Sequence, residues 1–267
     1  IGDGSTATRQ TPTAVDLGVG MTAGSVSAGN SHTCAVLNDG SLKCWGWNDY
    51  GQLGDGSTTD RTSPTAVDLG AGMTAVSVSG GYVHSCAVLN DGVVKCWGNN
   101  NWGQLGDETT TNRSSPVVID LGAGVTAVSV SGGLRHSCAV LNDGVVKCWG
   151  NNDYGQLGDG STTDRSSPVA VDLGAGMTAV SVSSGIWHSC AVLNDGSLKC
   201  WGDNEYGQIG DGSTTDRSSP VAVDLGAGMT AVSVNAGGYH TCAVLNDGSV
   251  KCWGDNEYGQ IGDGSTT

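Results

Sequence analysis

The sequence predicts an all-β repeat protein. Three observations carry that prediction. The phrase His-[Ser/Thr]-Cys-Ala-Val-Leu-Asn-Asp-Gly begins at His32, His84, His136, His188 and His240, a step of 52 residues each time with no insertion or deletion. A fixed period of this length is the signature of stacked supersecondary units. The chain holds 45 Gly and no Phe, with abundant Asp, Asn, Ser and Thr, a composition that favours short strands and many turns. Its apolar residues fall in short alternating runs punctuated by Gly and Pro, and helix start and stop signals are lacking.

Within a repeat, four short strands are expected. Thr13–Leu17 follows Pro12 and reads as one strand, and Gly18–Gly20 as a turn. Thr22–Ser27 reads as the next, its later copies alternating as in Ala75-Val76-Ser77-Val78-Ser79. A hairpin follows, with strands near Thr33–Leu37 and Leu42–Trp45, and a loop from Trp47 to Arg61 leads to Pro64 and the next copy. The turn Leu37-Asn38-Asp39-Gly40-Ser41 suits a type I turn with Gly40 in the left-handed position as a bulge. That turn pairs residue i with 78 − i and sets Cys34 opposite Cys44. Opposed residues on antiparallel strands have Cα atoms about 4.5–5.5 Å apart, within disulfide reach. The register therefore predicts Cys34–Cys44, Cys86–Cys96, Cys138–Cys148, Cys190–Cys200 and Cys242–Cys252. Repeats fall at about 1–52, 53–104, 105–156, 157–208 and 209–260, with a remnant at 261–267, in one domain spanning 1–267.

Composition also excludes functions. A formal charge of −15 would repel a phosphate backbone, so nucleic acid is not an expected partner. No apolar run is long enough for membrane insertion as a helix. Ten cysteines in five equally spaced pairs point to an oxidising compartment, extracellular or cell-surface. The chain starts in mid-repeat, as a mature product or an excerpt would.

The first copy sets out Gly29, His32, Ala35, Asp39-Gly40, Trp45-Gly46 and Gly51-Gln52-Leu53-Gly54, and the other four copies follow it. This pattern resembles the repeat of the regulator of chromosome condensation family, over nearly the whole chain. The resemblance implies a β-propeller of four-stranded antiparallel blades, here with five 52-residue repeats and one intra-blade disulfide per blade. The cysteine pairs resemble a secreted branch of that family. The family usually has seven blades, and its namesake exchanges nucleotide on a small GTPase and binds chromatin. No basic tail or single distinctive insertion supports those roles here, so the fold is carried over and that function is not. A closed five-bladed ring is expected, with Thr13–Leu17 completing the last blade; the alternatives are that this segment completes a blade of a neighbouring molecule, or that the five repeats are an excerpt from a longer array whose ring has more blades.

Chemistry-bearing residues are read as mostly structural. His32, Cys34 and Cys44 would make a zinc set only if reduced, so no metal is assigned. The recurring histidines are expected to hold a neighbouring blade's backbone. Gly54–Asp60 has alternating oxygen side chains but lacks the regular acid spacing of a calcium loop, and reads as a turn. The recurring Trp45, Trp97, Trp149, Trp201 and Trp253 are expected to pack blade against blade, with Lys43 and its equivalents on the other face. Asn112-Arg113-Ser114 is a glycosylation sequon. No nucleophile elbow, phosphate loop or metalloprotease motif appears, so neither enzyme activity nor a cofactor is expected.

The informative positions are those where near-identical copies differ. The pair before each His reads Asn30-Ser31, Tyr82-Val83, Leu134-Arg135, Ile186-Trp187 and Gly238-Tyr239. These pairs bring aromatics and the one non-periodic Arg to one height on one face. Asn30, Tyr82, Val83, Leu134, Arg135, Ile186, Trp187 and Tyr239 are the candidate binding residues, for a protein or glycan partner. A second variable set, Trp47-Asn48-Asp49-Tyr50 and its equivalents, keeps Tyr or Trp in its fourth place. The alternatives are a filament subunit self-associating by strand exchange at the termini, and an enzyme-inhibitor protein.

Overall fold

The computed structural model describes residues 1–266 and is all-β, with no helix. The first blade comprises β1 (Ala23–Ala28), β2 (His32–Leu37), β3 (Leu42–Gly46) and β4 (Arg61–Ala66), antiparallel in that order. The unit recurs as β5–β8 between Ala75 and Ile119, β9–β12 between Ala127 and Ala170, and β13–β16 between Ala179 and Ala222. The fifth sheet has three strands, β17 (Ala231–Ala236), β18 (His240–Leu245) and β19 (Val250–Gly254).

The hairpin turn behaves as its residues dictate. Gly40 adopts φ +77°, its N–H donates to Leu37 O at 2.9 Å, and Leu37 N–H donates to Ser41 O at 2.8 Å. The Asp39 side chain caps the bend by accepting from Ser41 N at 2.9 Å. The resulting register sets Cys34 against Cys44 and Val36 against Leu42. All five bridges form as the register requires, each between cysteines ten residues apart, and no free cysteine remains among the described residues.

Strand alternation gives each blade two unlike faces. Cys34, Val36, Leu42 and Cys44 point to one side and meet Ala87, Leu89 and Trp97 of the next blade, with Leu53, Val67 and Leu69 closing the layer. The same cluster recurs at the second and third boundaries, built on Trp149 and Trp201. These indoles are fully buried and are the blade-to-blade packing their recurrence predicts. Each also donates its ring N–H, Trp97 Nε1 to Gln52 O at 2.9 Å.

Several expectations are corrected. Lys43 and Trp45 lie two apart and therefore share a face. Lys43 Nζ donates to Leu17 O at 2.9 Å, over the same side where Val15 and Leu17 pack on Trp45. The fourth strand begins at Arg61 and ends at Ala66, earlier than the run after Pro suggested. Pro64 is tolerated because β4 is the outer edge strand, irregular between its Cys44 and Gly46 pairings. Thr13–Leu17 is not a strand, and it caps the first blade instead of completing the fifth.

The five blades do not close into a ring. Inner strands touch in sequence, β1 to β5, β5 to β9, β9 to β13 and β13 to β17, and no substantial contact joins the first and fifth blades. The outer face of the fifth blade is open, with Val250 62% exposed where its equivalent Leu198 is 1%. The same tryptophan-to-disulfide layer at each boundary fixes one angle per step, and four steps leave the end blades apart. No helix among the described residues is long and apolar enough to cross a membrane.

Candidate functional site

Two loop families rise on one face of the arc. The pair before each His is tied to the long loop after the hairpin: Trp47 N donates to Ser31 O at 2.9 Å, Asn151 N to Arg135 O at 2.9 Å and Asp203 N to Trp187 O at 3.0 Å. The long loop is held from inside by a buried asparagine. Asn48 Nδ2 reaches Ser57 O and Thr59 O at 3.1 and 3.0 Å, while its Oδ1 accepts from Leu53 N at 2.9 Å. An ion pair closes the base, with Arg61 2.7 Å from Asp55. Burial pulls the Asp55 carboxyl upward, but the Ser57 hydroxyl and the Arg61 guanidinium outweigh it and hold it below the usual carboxylate range. The oxygen-rich segment is therefore a turn whose carboxylate is already spent. No grouping of His, Cys, Asp or Glu suited to a metal occurs among the described residues.

One copy departs from this turn. Where the others have Gly56 or Gly160 at φ +79°, the third loop has Glu108 at φ +64°, the one non-glycine residue with positive φ among the described residues. Left-handed backbone costs a side-chain-bearing residue about 1–2 kcal/mol. Glycine gives part of that back through unfolded-state entropy. Glu108→Gly is expected to stabilise the chain by about 0.5–1 kcal/mol, read as a higher urea midpoint at unchanged slope. A lower midpoint would contradict the strain.

Beneath the face runs a line of buried histidines. His32 Nε2 lies 2.9 Å from Ser85 Oγ of the next blade, and Ser85 Oγ donates to Gln52 O at 2.9 Å. The serine's only proton goes to that carbonyl, so Nε2–H is the donor and Nδ1 is the bare nitrogen. The same relay joins His84 to Ser137, His136 to Ser189 and His188 to Thr241, each at 2.9 Å. The partner is thus a neighbouring blade's hydroxyl, not its backbone as the sequence suggested. In all four rings Nδ1 is buried with no partner. Burial holds His32 down to about 4 and His84, His136 and His188 down to about 3, and adjacent imidazoles add to the last three. These rings are neutral struts.

The candidate binding residues divide by position within each pair. The first members Asn30, Tyr82, Leu134 and Ile186 line the central opening, above Gly29, Gly81, Gly133 and Gly185. Added Cβ atoms at Gly29 and Gly81 would lie 2.2 Å from the ring carbons of His32 and His84, so glycine is what lets the backbone cross these imidazoles. The second members turn outward and meet the preceding blade's loop aromatic. Tyr154 and Trp187 rings lie 5.4 Å apart, as do Tyr206 and Tyr239. The Arg135 guanidinium sits 4.7 Å from the Trp102 ring and 5.3 Å from the Trp187 ring. Val83 and Tyr50 line one groove with Tyr82, Trp102 and Arg135. Both variable sets thus merge into one surface, with Trp102–Arg135–Trp187–Tyr154 as a continuous ladder across three blades. The contribution of Trp102 was not legible in advance. Its fourth-place position was visible, but which neighbour it met depended on the blade step.

Comparison with known proteins accords with this architecture. The family model described as RCC1-like domain matches residues 1–267. The ultraviolet-B receptor UVR8 of Arabidopsis thaliana is 33% identical over 99% of this chain and 60% of its own length. The human E3 ubiquitin-protein ligase HERC2 is 29% identical over the whole chain but 6% of its own length. The chain therefore spans about 60% or less of these relatives. Among solved structures, human WBSCR16 superposes with a TM-score of 0.80 at 23% identity, covering 90% of this chain and 64% of that one. The CRINKLY ectodomain of the Arabidopsis thaliana receptor kinase ACR4 gives 0.55 at 22% identity, over 89% of this chain and 65% of that one. Both show the shared fold. With all five copies of the motif in place and the family model matched from end to end, this chain belongs to the RCC1-like domain family.

Proposed function

We propose that the chain is a binding propeller without catalysis of its own, recognising a protein partner through the face built by the pre-His pairs and the loop aromatics. One observation carries this reading. Copies that are otherwise nearly identical differ most in the pair before each His, and those side chains meet the loop aromatics of the preceding blade on one face. Tyrosine, tryptophan and arginine dominate interface hot spots because they bury large area at low conformational cost. Five stapled blades beneath hold the set rigid, which lowers the entropic cost of binding. The buried disulfides support placement outside the cell or on its surface.

The test exchanges Tyr82→Asn, Arg135→Ser, Trp187→Ser and Tyr239→Ser together, giving these four positions the residues found in the first copy. All four are at least partly exposed, so a melting temperature within a few degrees of the parent is expected. Retention of the partner from an extracellular fraction on the immobilised chain is expected to fall at least about a hundredfold, as loss of several hot spots requires. Undiminished retention would refute this face. Electron microscopy of the same material is expected to show single arcs. Fibres with a blade-width repeat would favour assembly by terminal strand exchange.

A further inference from the structure

The chain has eleven cationic side chains, five Lys and six Arg. Ten are committed inside the fold. Every lysine donates to the carbonyl of the leucine 26 residues before it, Lys43 to Leu17 O and Lys147 to Leu121 O at 2.9 Å among them. Five arginines pair with the aspartate six residues before them. The eleventh, Arg135, is the exception. No carboxylate, carbonyl or hydroxyl accepts from its guanidinium among the described residues. The acid of its own blade's loop, Asp153, accepts from Asn151 Nδ2 at 3.0 Å instead.

Arg135 also has two indole rings against its guanidinium. The rings of Trp102, from the blade before, and Trp187, from the blade after, lie 4.7 and 5.3 Å from its guanidinium carbon. Flanking rings leave the guanidinium edge as its available hydrogen-bonding part, a fork of N–H donors whose spacing matches a carboxylate. Holding the fork in place beforehand removes much of the rotamer entropy that an exposed arginine loses on pairing. A groove beside it is walled by Tyr50, Tyr82, Val83, Trp102 and Leu134.

We infer that Arg135 is the anchor for a carboxylate on an acidic segment of a protein partner, with an apolar side chain of the same segment seated in the adjacent groove. This rests on the binding face proposed above. Charge selects the ligand. One cation on a chain of net charge −15 compensates a single negative charge, and a doubly charged phosphate would meet the field of the remaining acids. The groove selects a protein over a sugar, since Val83 and Leu134 supply aliphatic walls. Each tryptophan also gives a face of its ring to the guanidinium, a platform on which a sugar would otherwise stack.

The experiment selects a phage-displayed random heptapeptide library on the immobilised full chain. The enriched peptides are then measured, as synthetic peptides, against variants. Peptides carrying Asp or Glu next to a bulky apolar residue are expected. Arg135→Gln should weaken them at least about tenfold, the effect of one charge-assisted fork. Changing the peptide's acid to its amide should cost the same factor, and the two losses should not add. Arg135→Lys should not restore binding, since an ammonium cannot fill the planar slot. Enriched peptides without acid, or equal binding by Arg135→Gln, would overturn the carboxylate anchor. If Tyr82→Ala and Trp187→Ala still abolished that binding, the face reading would stand without it. No enrichment on this face would overturn both. Displacement of the peptide by inorganic phosphate but not by acetate, or glycan-array binding that depends on Arg135, would replace the protein carboxylate with another ligand.

Discussion

Lowering the pH from 7 to 5 is expected to cost this chain about 8 kcal/mol of stability, enough to unfold a typical domain. The source is the row of neutral struts His32, His84, His136 and His188. Each donates Nε2–H to the next blade and buries a bare Nδ1. Protonation would place a charged N–H where no acceptor exists, so burial depresses the folded values to about 4 for His32 and about 3 for the others. Unfolded, the rings titrate near 6.5. The unfolded state therefore binds more protons in the window from about 6.5 down to about 3, and stability falls as pH falls through it. Each ring contributes about 1.4 kcal/mol per pH unit, or about 2 kcal/mol at pH 5. Paired carboxylates such as Asp55 and Asp159 add losses of the same sign, but only at lower pH, because they lie below the usual carboxylate range. Urea titrations at half-unit steps should show the stability slope steepening below pH 6.5. His136→Gln supplies the control, since its amide can still donate to Ser189. It should recover about 2 kcal/mol relative to the parent between pH 7 and pH 5. A flat stability from pH 7 to pH 5 would contradict the neutral-strut reading.

What the sequence made legible followed from local rules. Leu37-Asn38-Asp39-Gly40-Ser41 determines one turn, that turn sets one register, and the register brings Cys34 to Cys44. Nothing in that chain needs a second blade. What the sequence left hidden needs the angle between blades. Five repeats close a ring only if each step is wide enough, and the fixed packing of Trp97 on the Cys34–Cys44 face makes it too narrow. The same geometry decides that His32 finds Ser85, 53 residues away, instead of a backbone group. It likewise decides that Arg135 is gripped by indoles from the blade before and the blade after. The variable pair was visible because near-identical copies provide their own baseline. The Trp102–Arg135–Trp187 ladder was not, because its members come from three copies and meet only across the blade step.

Reduction of the five disulfides is expected to remove cooperative folding altogether. Each bridge spans ten residues, and closing a loop of that size stabilises by about 2–3 kcal/mol in the chain-entropy model. Five such terms total on the order of 10 kcal/mol, comparable with the net stability of an ordinary domain. The loss is not spread evenly. In a stack where each unit touches only its neighbours, the cost of loosening a blade includes the interfaces it shares. Cys138 and Cys148 are fully buried in the layer that receives Trp201, with a neighbour on either side of their blade. Cys242 and Cys252 lie on the open fifth blade and are only partly buried. Cys138→Ala with Cys148→Ala should therefore cost about 3–5 kcal/mol, the loop term plus lost packing of two sulfurs. Cys242→Ala with Cys252→Ala should cost nearer 2 kcal/mol. Urea midpoints of the two paired variants measure the difference, and equal costs would refute the stacked account. Refolding in excess dithiothreitol should give no cooperative transition. A reduced chain that unfolded within about 1 kcal/mol of the oxidised one would show that the blades stand without their staples. It would also remove the reason to place the protein where thiols oxidise, because a fold that needs five bridges can be populated only in a compartment that forms them.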